Sequence, residues 1–435
     1  MESSDIEEVG WTGREEDIRS ALIRWYKSSR RHLPWRGDPP PWGECKRKAH
    51  ASGVFQQLRP RTHPVVIDLD EQLEADAVDG AFPPSAYGVW VSEVMLQQTQ
   101  VQVVIPFWRR WMKRLPTLEA LCGATLAEVN SLWSGLGFYG RAKRLHEGAK
   151  YVLAKHCGSL PRDLEALRRI PGVGPYTAGA IASIAFGQQA ALVDGNVARV
   201  FSRLSAIALP AKSPSLMKMC WTLADQLVDP EDPGTFNQAL MELGATVCTP
   251  KTPTCDKCPL QSACRAHELV KQGQLGHVTH FPAKAILKKR RERVMILAAV
   301  NSDGAWMFVR RPPKGLLGGQ LNFPSLEVSE NEALCDVRRE DAVGKLKALL
   351  LEAFKLDVDL RPVDEPVEHQ FSHEHHVMHI FRGECEQRPP LQQESKQEVF
   401  WLTAAEAQEA GITSYLRKVG FASESVTKPA GHSNH

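Results

Sequence analysis

The sequence predicts a mainly α N-terminal region followed by a smaller α+β domain. Apolar residues recur at helical spacing through most of the first 246 positions. Beyond residue 293 the period shortens, and VMILAAV, AWMFVR and EVFWL read as strands. Between the two regions, four cysteines crowd into 248–264. A chain of 435 residues has room for two or three domains, each with its own core.

The composition is that of an ordinary soluble protein, 43% hydrophobic and 24% charged. No uninterrupted apolar run reaches membrane-spanning length. The opening MESSDIEEVG is acidic, unlike a secretory signal or a transit peptide. The formal charge of +2 hides an uneven spread. Two acidic runs, 1–17 and 68–79, carry −6 each and leave +14 on the rest. That excess fits a polyanionic partner or a solvated basic surface. Without a secretory signal, the clustered cysteines favour a metal site over disulfides.

Residues 14–36 read as a helix ending in HLPWR, with Ile18, Leu22, Trp25 and Tyr26 at helical spacing. Trp25, Leu33 and Trp35 read first as core. Residues 38–86 hold a Pro39–Pro41 run, basic Lys46–Lys48 and the second acidic run, and are expected to be a disordered insertion. In 87–112, Glu93 is the only charged residue between Asp79 and Arg109, flanked by Trp90, Val91, Val94 and Met95. A carboxyl in such surroundings can keep its proton near neutral pH and serve as a general acid; the other reading is a surface glutamate.

Residues 117–160 suggest two amphipathic helices around LWSGLGFYGRAKRL. There Phe138 sits on a glycine turn among Arg141, Lys143 and Arg144, suited to wedge between bases or to join the core. IPGVGPYTAGAIASIAFG follows, a sharp turn at Pro171, Gly172 and Gly174 and then a small-residue helix, Tyr176 to Ala185. This is a helix–hairpin–helix pattern, whose main-chain N–H groups suit a phosphate. Asp194 and Asn196 lie just beyond it in VDGN, and a carboxylate so close to a phosphate grip suggests chemistry on nucleic acid. Residues 215–246 are again helical and contain Glu242. Cys248, Cys255, Cys258 and Cys264 then make a four-thiolate site open to zinc or to iron–sulfur. A linker ends in the basic run Lys288–Arg293, readable as a nuclear-import signal, a phosphate contact or solvated charge. The five histidines of HQFSHEHHVMH alternate along a strand without partner ligands, so a metal is not expected there.

IPGVG, YTAGAIASIAFG, VDGNVARV and SEVMLQQTQV together resemble the adenine DNA glycosylases (MutY family) of the helix–hairpin–helix superfamily. The resemblance implies a helix–hairpin–helix glycosylase fold with an iron–sulfur loop, then a Nudix-like domain. The implied divisions are 1–37 packing on the iron–sulfur subdomain, the insertion 38–86, a six-helix subdomain 87–190 and the iron–sulfur subdomain 191–268. A linker 269–293, the Nudix-like domain 294–421 and a disordered tail 422–435 complete the chain. The implied activity is hydrolysis of the N-glycosidic bond of adenine mispaired with 8-oxoguanine, or with guanine, in duplex DNA.

By the same resemblance Glu93 is the acid, Asp194 the stabilising carboxylate, and Asn196 and Tyr176 orient water and Asp194. Leu33, Trp35, Arg36 and Glu242 surround adenine. Gln98, Thr99, Leu136, Phe138, Ser372 and His373 address the duplex and the lesion, and Gly172 and Gly174 hold phosphate. Related lyases carry lysine at the position of Tyr176, so a monofunctional enzyme is expected. The C-x6-C-x2-C-x5-C spacing matches the family's single 4Fe–4S cluster. No cysteine lies between Cys264 and Cys335, so the linker zinc of vertebrate relatives is not expected. The 325–353 segment lacks the Nudix carboxylates, and no sliding-clamp motif is found. A monomer acting on DNA in the nucleus, with mitochondria as a further compartment, is the expectation. Two alternatives remain: an endonuclease III-like lyase for oxidised pyrimidines, and a lesion binder whose pocket is spoiled by the insertion.

Overall fold

The computed structural model describes residues 13–42, 82, 84–284, 291–312, 315–328, 336–363, 365–371, 374–388, 398–410, 412–413 and 416. The body of the expected insertion, 43–81 and 83, lies outside these, as do Ser372, His373, linker residues 285–290 and the tail. The described residues form two compact units. One draws on 1–124 and 143–287, the other on 125–142 and 288–435. The expected 87–190 subdomain is therefore not a single packing unit.

In the first unit α1 (Glu15–Ser29) turns Ile18, Leu22 and Tyr26 inward. They join a core built from α9 (Gly195–Leu204), α10 (Pro214–Leu227) and α11 (Pro233–Thr246), with Phe201, Leu223 and Phe236 at its centre. α2 (Ala86–Leu96) is buried on every face from Tyr87 to Met95. A helix apolar all round belongs inside a core, so Glu93 is carried to the interior by its neighbours. Ser85 caps α2 by accepting from the Gly88 N–H. α3 (Val101–Arg114) packs on α2 and sends the Trp108 indole N–H to Gly88 O at 3.1 Å.

The region 117–160 forms three helices rather than two: α4 (Leu118–Gly123), α5 (Leu126–Trp133) and α6 (Gly140–His156). The break is at Thr125, whose hydroxyl and Glu128 make a reciprocal capping box that starts a new helix. α7 (Leu164–Arg168) and α8 (Pro175–Ala180) flank the glycine turn, and α8 runs on as a π-turn, Ile181–Ala185. Gly179 permits the close approach anticipated from the small residues. A Cβ there would lie 2.1 Å from Ala191 O.

The ends of the expected insertion are ordered, which corrects its boundaries. Asp38 is only 6% exposed, accepts two hydrogen bonds from Arg30 and one from the Leu33 N–H, and so belongs to the PWR turn. Trp42 is buried, and Ser85 and Ala86 already begin α2. Proline-rich composition hid these anchors, because a single aspartate or tryptophan in such a stretch has no periodicity to betray it.

The second unit is built on an eight-stranded sheet around β1 (Arg291–Ser302). β1 pairs antiparallel with β2 (Ala305–Arg310) and β4 (Ser325–Val328), and parallel with β7 (Glu374–Glu384). β3 (Leu321–Asn322) and β8 (Val399–Thr403) extend it beside β2; β5 (Arg361–Pro362) and β6 (Val367–Gln370) pair with β7. The turn at Asp303 and Gly304 has positive φ at both residues, the conformation a two-residue hairpin needs. Alternate β1 residues face opposite sides. Ile296, Ala298 and Val300 meet α12 (Asp336–Phe354), and Leu297 and Ala299 meet the Ala407, Ile412 and Leu416 layer, where α13 (Ala404–Glu409) lies.

Candidate active site and cysteine loop

A cleft of about 1000 Å³ opens in the first unit. The C-terminal half of α2, the PWR turn, the glycine hairpin, Asp194 and α11 all contribute to its wall. Glu93, 5% exposed, reaches it from α2. The Tyr176 hydroxyl donates to Glu93 Oε2 at 2.5 Å and lies 3.2 Å from Met241 Sδ. Burial pushes the Glu93 carboxyl up to about 7, and the nearby Asp194 charge adds to this; the Tyr176 hydrogen bond and Arg36 oppose it. The carboxyl is thus poised to hold a proton near neutral pH.

Asp194 caps α9. Its Oδ1 accepts from the Asn196 N–H at 2.9 Å and the Val197 N–H at 2.7 Å, and its Oδ2 accepts from Asn196 Nδ2 at 2.8 Å. Burial raises its pKa, while these three donors and the charge of Arg199 act for the anion. The two carboxyls therefore sit on one cleft in different company. Glu93 has apolar neighbours and a single phenol; Asp194 has a nest of donors.

Leu33 and Trp35, both buried, form part of the cleft wall, and Arg36 lies beside them. Gly172 has φ +84, and a Cβ there would lie 2.7 Å from Arg144 Cβ, so only glycine fits. A Cβ on Gly174 would meet nothing within 4 Å, which leaves that backbone approachable. Gln98, exposed with φ +57, and Thr99 follow α2 at the edge of the cleft.

Glu242, expected among the residues around adenine, borders the cleft but is only 1% exposed, and its oxygens accept from two arginines. Oε1 accepts from the Arg31 N–H at 3.1 Å and Arg31 Nε at 2.6 Å; Oε2 accepts from Arg31 and Arg36 guanidinium groups, each at 3.1 Å. Burial alone would raise its pKa, but the two arginines outweigh it and hold the carboxyl below its usual value. Glu242 thus orients Arg31 and Arg36 at the cleft wall.

Cys248, Cys255, Cys258 and Cys264 line one small cavity with Arg203 and His267. Arg203, buried, donates to Cys248 Sγ at 3.4 Å, to Thr249 O at 2.7 Å and to Pro250 O at 3.1 Å. Burial pushes Cys258 up to about 12 and Cys264 up to about 11, so these sulfurs need a metal to carry charge as thiolates. Among the described residues no three His, Cys, Asp or Glu side chains form a group that could hold a single ion.

In the second unit Phe138 is 49% exposed with φ +49 and directly follows Gly137; Gly135 and Gly137 are also at positive φ. The Arg141 guanidinium lies over its ring at 5.5 Å. The core reading of this aromatic is overturned. Leu136 is buried; its N–H donates to Trp133 O and its carbonyl accepts from Arg141.

Residues 91–224 match the family described as HhH-GPD superfamily base excision DNA repair protein, and residues 295–419 match the NUDIX domain. A human protein named adenine DNA glycosylase is 38% identical over 447 residues, covering 92% of this chain and 73% of the relative. The chain belongs to the adenine DNA glycosylase family. Proteins of the same name from rat, 37% identical over 92% of this chain and 77% of theirs, and from Schizosaccharomyces pombe, 31% identical over 91% and 87%, agree. As a member of the adenine DNA glycosylases it is a base-excision-repair hydrolase with a helical glycosylase region and a smaller Nudix-like domain.

Two residues of this glycosylase escaped the sequence reading. Arg31 precedes HLPWR and looks like any surface cation until Glu242, 211 positions away, closes on it. Arg199 lies one helical turn beyond Asn196. Its Nε donates to Cys248 O at 2.8 Å and its NH2 to Asn196 Oδ1 at 2.9 Å. A hydrogen-bonded chain thus runs from the Asp194 carboxylate to the first cysteine of the loop. Helical spacing from Asn196 was the one available signal.

Proposed function

We propose that this glycosylase removes adenine paired with 8-oxoguanine in duplex DNA by hydrolysis alone. The observation that carries the proposal is one cleft holding a proton-bearing Glu93 and a donor-braced Asp194 beside Leu33, Trp35 and Arg36. Adenine cannot react inside the stack and is flipped out. Gly172 and Gly174 grip phosphate, Gln98 and Phe138 fill the duplex, and binding is salt-sensitive. Glu93 gives its proton to adenine N7, making the base a better leaving group. The deoxyribose becomes cation-like, and ionised Asp194 stabilises it, as the second carboxylate of a glycosidase does; water then adds at C1′ and gives its proton to the Glu93 carboxylate, which restores the acid. Asn196 and Tyr176 hold the two carboxyls in place. Thr99, Leu136, Ser372 and His373 address 8-oxoguanine, the last two outside the described residues.

Single-turnover excision on an A:8-oxoguanine duplex tests this reading. Fast adenine release with little borohydride trapping supports it, since the Tyr176 phenol forms no Schiff base. Tight binding without release makes the chain a lesion binder, and efficient trapping makes it a lyase.

The four cysteines are proposed to hold a 4Fe–4S cluster; when bound, it cross-links the loop that Arg199 ties to Asn196. The thiol-rich donor set and the shared cavity support this. Purified protein should be brown, with iron and acid-labile sulfide in equal amounts, and Cys258→Ser should lose most of both. A colourless, zinc-loaded protein overturns the assignment. The Lys288–Arg293 run supports a nuclear location, and the protein is proposed to act as a monomer.

A further inference from the structure

The stretch 38–86 leaves the PWR turn and returns to α2 through a knot of aromatic rings. Trp42 is 7% exposed, and its indole N–H donates to Asp38 O at 2.7 Å. The Arg109 guanidinium of α3 covers its ring at 4.8 Å. Phe82, on the returning strand of chain, lies 6.4 Å from Trp42 and packs edge-on against Trp108 at 5.1 Å. Trp108 in turn meets Trp35 edge-on at 6.0 Å, and Trp35 forms part of the cleft wall. Pro84 closes the far side: a Cβ on Gly37 would lie 2.7 Å from its ring. The two ends of the segment are thus side by side, and their aromatic rings reach Trp35 through Trp108.

We infer that Trp42, Phe82 and Arg109 form a clasp that positions Trp35, so that the stretch between the ends can be removed without harm to the reaction. The inference rests on the adenine-excision reading. Edge-on aromatic contacts and a covering cation restrict ring tilt, and a small displacement of a group that packs against the reacting base costs rate more than affinity. Most of the DNA affinity comes from phosphate contacts elsewhere. The clasp residues touch no reacting atom and are positioning residues.

The test uses the full chain and an A:8-oxoguanine duplex, with enzyme in excess, so that the rate constant does not depend on the active fraction. Trp42→Ala and Phe82→Ala should each slow excision about tenfold with duplex Kd unchanged within about twofold. Trp42→Phe should recover most of the rate. Replacing 43–81 by a Gly/Ser linker of about six residues, long enough for roughly 20 Å, should leave rate and Kd as in the parent. Should Trp42→Ala fail to fold, Arg109→Met, which keeps the aliphatic stem and loses the charge over the ring, should still slow excision severalfold. Parent-like rates in the alanine or Arg109→Met variants overturn the clasp. So does a linker replacement that slows excision as much as Trp42→Ala, because the positioning would then belong to 43–81. A parent protein that releases no adenine fails the excision reading instead, before any variant is compared.

Discussion

Glu93→Gln should bind the A:8-oxoguanine duplex as tightly as the parent and lose about 10²–10⁴-fold in single-turnover excision, the range of a removed general acid. The amide matches the carboxyl in shape and still accepts from the Tyr176 hydroxyl, so the fold is spared. Only the transferable proton is gone. The pH profile carries the same information. Burial holds the parent's Glu93 at about 7, above its ordinary value, so the protonated acid is lost as pH rises through that range. Excision by the parent should therefore fall on the alkaline side of about 7. On the acid side it should fall as Asp194 takes up a proton. The Glu93→Gln variant should lack the alkaline fall. Turnover within tenfold of the parent would remove Glu93 as the acid.

Asp194→Asn should lower the excision rate by about 10²–10³-fold, the scale of losing one preorganised charge beside a developing cation. Asparagine is as good a helix cap as aspartate, and its amide oxygen can still accept from the Asn196 and Val197 N–H groups. Thermal stability should therefore stay within a few degrees, which isolates the charge from the cap. The variant should keep its duplex affinity. A rate close to the parent's would mean that Asp194 serves only as the α9 cap, and the two-carboxyl mechanism would go with it.

The two substitutions probe groups that the chain treats in opposite ways. Glu93 lies in a helix with no polar face and gains one hydrogen bond. Asp194 lies where a helix begins and collects three. Both are raised by burial, but only Asp194 is surrounded by donors that reward ionisation. The difference arises from where each sits relative to a helix.

Much of this was legible in the residues. The glycine hairpin could be read because only glycine tolerates the backbone at Gly172, and a requirement of that kind leaves a visible letter. Glu93 stood out because a charge among Trp90, Val91 and Val94 is a local anomaly. The sheet domain announced itself by its period of two, and the cysteines by spacing within 17 residues. All of these are short-range patterns, written within a few turns or strands of chain.

What depended on distant partners was misread or missed. Glu242 reads as a lone carboxylate, and only the fold brings Arg31 and Arg36 across 211 and 206 positions to its oxygens. Asp38 and Trp42 looked like the start of a loop until Arg30, Leu33 and Arg109 gathered around them. The sequence by itself determined which groups could do the chemistry, because residue type and local spacing set acidity, flexibility and ligand character. Only the tertiary structure decided which of those groups remained free to act, because a hydrogen-bonding atom is spent by whatever the folded chain places beside it.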